Sequence, residues 1–124
     1  MPPKKFEEHL TRTAKPNVRI LGGPGVHVGD VEVFEAQFFK AGAPFSSETG
    51  VSIRVGLPEV WLTVVTHKWP KGDLTVQFLD NFAQSPPPAE YRFAITGGTG
   101  DYEGAHGEIT YVSDADITFR FSTQ

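Results

Sequence analysis

Cysteine is absent from the 124 residues, which excludes disulfides, thiolate metal ligands and a cysteine nucleophile. A chain without disulfides fits a reducing compartment, and the expected location is cytoplasmic. No apolar run approaches the roughly 18 residues that a membrane-spanning helix needs. Met1-Pro2-Pro3-Lys4-Lys5 opens the chain without the apolar stretch of a secretory leader, so neither export nor a membrane partner is expected. A basic excess is missing as well. The 11 Lys and Arg stand against 15 Asp and Glu, a formal charge of −4, whereas a phosphate backbone requires the opposite sign. Nucleic acid is therefore not an expected partner.

Familiar catalytic signatures are missing too. His9, His27, His67 and His106 are scattered, without the close spacing or paired carboxylates of a zinc or iron site. There is no Gly-x-Ser-x-Gly elbow. Asp114 and Asp116 share one side of an extended segment, but they lack the further oxygen ligands and loop glycine of a calcium site and read as a solvated turn. No metal and no organic cofactor is expected.

What the chain does contain is alternation. One domain spans 1–124, a length that suits a single core, with residues 1–5 expected to be disordered. Phe6 to Arg12 fits a strand or a single helical turn about equally, and Asn17 to Leu21 a short strand. Val31 to Phe39 is a strand with Phe34, Ala36 and Phe38 on one face. Gly50 to Val55 sets Val51, Ile53 and Val55 against Ser52 and Arg54. Val60 to His67 sets Val60, Leu62 and Val64 against Trp61, Thr63, Val65 and His67. Leu74, Val76 and Phe78 alternate with Thr75 and Gln77, and Ile117 to Phe121 alternates again. Pro86-Pro87-Pro88 cannot donate ladder hydrogen bonds and reads as a stiff connector. Short strands at regular intervals, punctuated by glycine and proline, predict an all-β barrel.

Five glycines lie between the strand-like runs Tyr91 to Thr96 and Glu108 to Val112. They do not make a dinucleotide loop, because the spacing is wrong and the continuation is β-forming rather than helical. Ala94-Ile95-Thr96-Gly97-Gly98-Thr99-Gly100, followed by Tyr102, Gly104-Ala105, Gly107 and Ile109, resembles the signature hairpin of allene oxide cyclases and, more loosely, of dirigent proteins. Gly29-Asp30-Val31-Glu32-Val33-Phe34 with Phe38-Phe39, and Thr49-Gly50-Val51-Ser52, are similar to two further strands of that superfamily, so the resemblance covers residues 29–121. It implies an eight-stranded antiparallel up-and-down β-barrel around a small hydrophobic ligand, and barrels packed wall to wall in a homo-oligomer.

The resemblance also places Glu32, Ser52, Arg54 and Asp80 on inward faces, as candidate catalytic groups. Alternation alone turns Ser52 and Arg54 to solvent and buries Val51, Ile53 and Val55. An apolar outer wall covered by another subunit reconciles the two. The expected substrate-binding wall is Phe34, Ala36, Phe38, Val60, Leu62, Leu74, Val76, Phe78, Tyr91 and Phe93. Plant allene oxide cyclases carry asparagine at the position of Ala36 and cysteine at that of Ser52, and their glutamate-bearing first strand has no clear counterpart. The chain departs from that enzyme and is similar instead to small bacterial cyclases of polyketide pathways, some of which promote intramolecular [4+2] closure. Such a reaction relies on proximity and orientation, with Arg54 or Ser52 able to polarise a carbonyl. The expected function is thus a cofactor-independent cyclase or isomerase of a hydrophobic conjugated precursor. The alternative is a non-catalytic guide or carrier of a small hydrophobic ligand.

Overall fold

The computed structural model describes residues 3–13 and 17–123. Its strands are β1 (Lys5–Arg12), β2 (Asn17–Leu21), β3 (Val31–Lys40), β4 (Ala43–Gly56), β5 (Val60–Trp69), β6 (Gly72–Asn81), β7 (Tyr91–Gly98), β8 (His106–Tyr111) and β9 (Asp116–Ser122), with one 3-10 turn at Gly100–Tyr102. Each strand from β3 to β9 pairs antiparallel with the next. β1 then runs along β9 from Lys5↔Ser122 to Thr11↔Asp116 and meets β3 at Thr11↔Phe39 and Arg12↔Phe38. That last contact closes an eight-stranded up-and-down barrel. β2 occupies the rest of the same β3 edge, from Leu21↔Val31 to Asn17↔Glu35.

The ambiguous segment Phe6 to Arg12 is a strand because its alternate residues reach the lumen, Leu10 being fully buried. Ordered structure starts within the stretch expected to be disordered: Lys5 opens β1, and the Lys4 carbonyl accepts the Thr123 N–H at 2.8 Å. Met1 and Pro2 lie outside the described residues.

One end of the barrel is packed solid. Leu10, Phe38, Leu74, Ile117 and Phe119 have no exposed surface. Phe6 stacks on Phe121 at 4.9 Å, while Trp69 meets Tyr102 and Phe121 edge-on at 5.5 and 5.6 Å, with Phe45 edge-on to Trp69 at 5.0 Å. Aromatic edge-to-face contacts of this kind add to the burial of large apolar rings. The glycine hairpin delivers Tyr102 to this plug. Its 3-10 turn lies on the β5–β6 hairpin, where Thr99 N–H bonds the Asp73 carbonyl at 2.9 Å and Asp101 N–H the Lys71 carbonyl at 3.1 Å. A Cβ on Gly98 would sit 2.3 Å from the Tyr102 carbonyl oxygen. The glycine there permits backbone to approach backbone.

β4 is inside-out. Val51, Ile53 and Val55 face solvent, and Ser46, Glu48, Ser52 and Arg54 are buried in the lumen. The register Ser52↔Thr63 and Arg54↔Trp61 carries this phase into β5, because directly opposed residues share a face. Trp61, Thr63, Val65, His67 and Trp69 point inward, and Val60 and Leu62, expected on the ligand wall, lie on the outer face. Two tryptophans bury more apolar area than the smaller set they oppose, which decides the phase.

Candidate functional site

The end opposite the aromatic plug is open. There the β6–β7 and β8–β9 connections frame a cavity of about 350 Å³ that reaches into the lumen. Its lining comes from Phe34 of β3, Val65 of β5, Phe78 of β6, Tyr91 and Phe93 of β7 and Tyr111 of β8, with Phe82, Pro88, Ala89 and residues 112–114 at the rim. The rings form one continuous wall. Phe78 stacks on Phe93 at 3.6 Å, Phe93 lies 5.4 Å from Tyr111 and 6.1 Å from Tyr91, and Phe82 leans on Tyr91 at 5.4 Å. On the facing side the Phe34 ring lies over Gly50, where a Cβ would stand 2.3 Å from Cζ. A wall of flat π surfaces suits a planar apolar molecule.

Polar groups enter this wall at one place. Arg12, the last residue of β1, and Glu48, in the middle of β4, both line the cavity, with Arg12 Nη1 3.4 Å from Glu48 Oε1. Arg12 also donates through Nε to the Asp114 carbonyl at 2.8 Å and lies 5.3 Å above the Tyr111 ring. The Glu48 side chain is 1% exposed. Burial pushes its carboxyl above the ordinary range, with Arg12 pulling the other way. Burial, reinforced by the nearby Glu48 charge, raises the Tyr111 phenol and keeps it protonated. His67, across the ladder from Glu48, is lowered to about 3 by burial and then by Arg12, and its Nδ1 has no hydrogen-bond partner. It is therefore a neutral imidazole. Its ring is held edge-on by Phe38 at 5.4 Å and Phe119 at 5.0 Å.

The four residues singled out as catalytic candidates lie in a separate layer nearer the barrel end. Ser52 Oγ and Thr63 Oγ1 share a hydrogen bond of 2.7 Å. Arg54 donates to Asp30 at 3.2 Å, to Glu59 at 3.0 Å and to the Pro58 carbonyl, and stacks 4.3 Å from the Trp61 ring. Trp61 in turn donates to Glu59 at 2.8 Å. The His27 N–H, and after it Arg54, hold the Asp30 carboxyl below its ordinary value against desolvation. Glu59 is lowered by Trp61 and then Arg54. With its neighbours placed this way, Arg54 ties residues 27–30 and 57–59 to the barrel. Glu32, opposite Ser52, is half-buried, and desolvation followed by the Glu59 charge raises its carboxyl. Asp80 is half-buried opposite Trp61 and accepts the Asn81 N–H at 2.8 Å. None of the four lines the cavity.

Of the expected binding wall, Phe34, Phe78, Tyr91 and Phe93 line the cavity. Ala36, Phe38, Leu74 and Val76 are buried core outside its lining. Arg12, Glu48 and Tyr111 escaped the sequence reading. Their signal was nonetheless there: Glu48 shares the parity of Ser52 and Arg54 along β4, and Arg12 that of Phe6 and Leu10 along β1. Among the described residues no cluster of His, Asp and Glu has the arrangement of a metal site, and no helix is long and apolar enough to cross a membrane.

No protein-family model and no curated protein matches the sequence. Solved structures do match the fold. A pyocyanin demethylase superposes with a TM-score of 0.73 at 23% identity, over 95% of this chain and 100% of its own. The exo-specific intermolecular Diels–Alderase AbnU gives a TM-score of 0.71 at 9% identity, over 98% of this chain and 99% of its own. The Diels–Alderase AbmU from Streptomyces koyangensis gives 0.67 at 14% identity, over 95% of this chain but 62% of its own length. These neighbours are small β-barrel enzymes, and at such identities the likeness is one of fold.

Proposed function

We propose that the barrel is a cyclase or isomerase of a hydrophobic, conjugated natural-product precursor, with intramolecular Diels–Alder closure as its reaction class. The observation that carries this reading is the aromatic-walled cavity of about 350 Å³, shut at one end and open at the other, with its polar groups confined to one place. Ring closure of a polyene needs neither metal nor organic cofactor. It needs the chain folded so that its reacting termini meet, and holding them so can supply up to roughly 7–11 kcal/mol in the most favourable intramolecular cases. The Phe34 ring on one side and the Phe78–Phe93 stack on the other bound a slot that favours a compact fold over an extended one. Two of the structural neighbours are Diels–Alderases, one of them intermolecular, which supports cycloaddition in general rather than its intramolecular form, and a third is a pyocyanin demethylase.

The test is a linear trienone carrying a conjugated diene and an enone, incubated with the protein and followed by chiral chromatography. The expected result is bicyclic product formed above the uncatalysed rate and enriched in one enantiomer. Racemic product at the background rate, with the trienone still raising the melting temperature, would leave a carrier or a dirigent-like guide.

A further inference from the structure

One cation lines the cavity, and it has donors to spare. Arg12 carries five N–H groups on a side chain that is 11% exposed. Nε donates to the Asp114 carbonyl at 2.8 Å and Nη1 to Glu48 Oε1 at 3.4 Å. Nη2 makes no hydrogen bond among the described residues, the carboxylate oxygen paired with it, Asp114 Oδ1, standing 4.0 Å away on an exposed side chain. Nor is Nη2 sealed inside protein: the buried side-chain atoms left without a partner are Ser46 Oγ, His67 Nδ1 and Trp69 Nε1. The group is also held in place. Its two hydrogen bonds fix the guanidinium plane, Cζ lies 5.3 Å above the Tyr111 ring, and the Arg12 backbone N–H is bonded to the Ala115 carbonyl at 3.0 Å.

We propose that Arg12 is the specificity-determining residue of the cavity and selects planar aromatic ketones or aldehydes, their carbonyl oxygen accepting a hydrogen bond from Nη2. This rests on the reading of the cavity as a small-molecule site. The ring wall formed by Phe78 and Phe93 continues to Tyr111, 5.4 Å from Phe93, and Arg12 lies over that last ring. A flat molecule lying along the wall therefore meets Arg12 with its edge, which is where an aryl ketone carries its oxygen. Charge decides between a carbonyl and a carboxylate. Glu48 already supplies the counter-charge, with Asp114 beyond it, so an anionic ligand would add negative charge where one cation stands between two acids, and like charges repel strongly where water is sparse. A neutral oxygen takes the N–H without upsetting that balance, and a charged donor makes a stronger hydrogen bond than a neutral one. The Tyr111 hydroxyl is the neutral competitor in the same wall.

The probes are 2-acetylnaphthalene, 2-ethylnaphthalene and 2-naphthoate, which share a shape and differ in the group at one edge. Binding is measured by calorimetry. Wild-type protein is expected to bind the ketone about tenfold more tightly than the hydrocarbon, the value of one good hydrogen bond, and to bind the naphthoate more weakly than the ketone. Arg12→Met combined with Glu48→Leu removes the donor without stranding a buried carboxylate. It should bring the ketone down to the hydrocarbon while retaining the latter, whereas an arginine that only braces the wall would weaken both probes together and leave their ratio unchanged. Glu48→Leu alone keeps the donor and removes its counter-charge, so it should keep the ketone preference and raise the affinity for naphthoate. Equal affinities for ketone and hydrocarbon in wild type, an unchanged ratio in the double variant, or loss of the preference in Tyr111→Phe would overturn the proposal and leave the cavity reading intact. Failure of all three probes to bind would overturn both. Should the double variant not fold, Glu48→Leu decides, and a naphthoate affinity that fails to rise there sinks the proposal. Should neither fold, carbon-13 NMR of the labelled ketone carbonyl on wild type and Tyr111→Phe decides: a downfield move on both is expected, and an unmoved resonance on either sinks it.

Discussion

Phe38 and Phe34 stand four positions apart on the inner face of β3, yet their surroundings differ. Phe38 is fully buried against His67 and Phe119, whereas Phe34 is half-buried with cavity on one side. Phe38→Ala should cost about 3–5 kcal/mol, the usual value for emptying a packed aromatic site. Phe34→Ala should cost clearly less, because part of its ring already faces space, and it should change ligand binding. Urea denaturation of both variants, with 2-acetylnaphthalene as ligand, checks the pair. His67 makes a second prediction. Its folded value is about 3 against an ordinary 6.5, so its contribution to stability is full above 6.5 and is lost as pH falls toward 3. Between pH 7.5 and 5 the wild type should lose about 2 kcal/mol more than His67→Gln, read from urea midpoints. Glu48, being raised, works in the opposite direction, and its effect largely cancels in that comparison. Sequence alternation reached Phe34 and Phe38 because their strand is conventionally patterned. It missed Glu48 and misplaced Val60 and Leu62 because β4 and β5 carry apolar residues on both faces, and alternation cannot then say which one is inside.

The glycine hairpin was legible as an element, while its purpose was not. Its spacing marked β7 and β8 and ruled out a phosphate loop, but a glycine at a turn can serve positive φ, a bulge or close approach, and sequence alone does not separate these. The structure assigns Gly98 to close approach, against the Tyr102 carbonyl at 2.3 Å and the Asp73 carbonyl at 3.0 Å from a would-be Cβ. Both neighbours are backbone and cannot swing aside. Gly98→Ala should therefore push the 3-10 turn off the β5–β6 hairpin, loosen Tyr102 from Trp69 and cost more than the roughly 1–3 kcal/mol typical of overpacking. Gly23→Ala, in a loop where a Cβ meets nothing within 4 Å, is the matched control and should change stability by under about 0.5 kcal/mol. Equal melting temperatures for the two variants would refute the docking role. A barrel was legible from the strand spacing, and its eight-stranded up-and-down form through the resemblance, while the Arg12↔Phe38 contact that closes it joins strands distant in sequence and leaves no local pattern.

On the scale of the whole molecule, the inverted phase of β4 leaves an unusual outer wall. Val33, Val51 and Val64 lie side by side across β3, β4 and β5, and Val31, Ile53, Leu62 and Leu79 form a second row reaching β6. Val51, Ile53, Val64 and Leu79 are 38%, 42%, 46% and 63% exposed. Single exposed apolar side chains are ordinary, but two adjoining rows make a contiguous patch of the kind that marks an association surface. We propose that a second copy of this chain covers it, wall against wall. Trp61 and Val65 point into the lumen and take no part. Light scattering at micromolar concentration should report a multiple of the chain mass, and Ile53→Lys should return it to one chain, since burying an unpaired ammonium against Val51 and Leu62 costs more than a contact of this kind supplies. The cavity mouth lies at the barrel end among residues 82–91 and 111–114, away from these rows. Ile53→Lys should accordingly keep its affinity for 2-acetylnaphthalene within about twofold of wild type. A wild-type protein that scatters as a single chain across the concentration range would exclude self-association through this wall, and loss of ligand affinity in a monomeric Ile53→Lys would mean that assembly shapes the cavity.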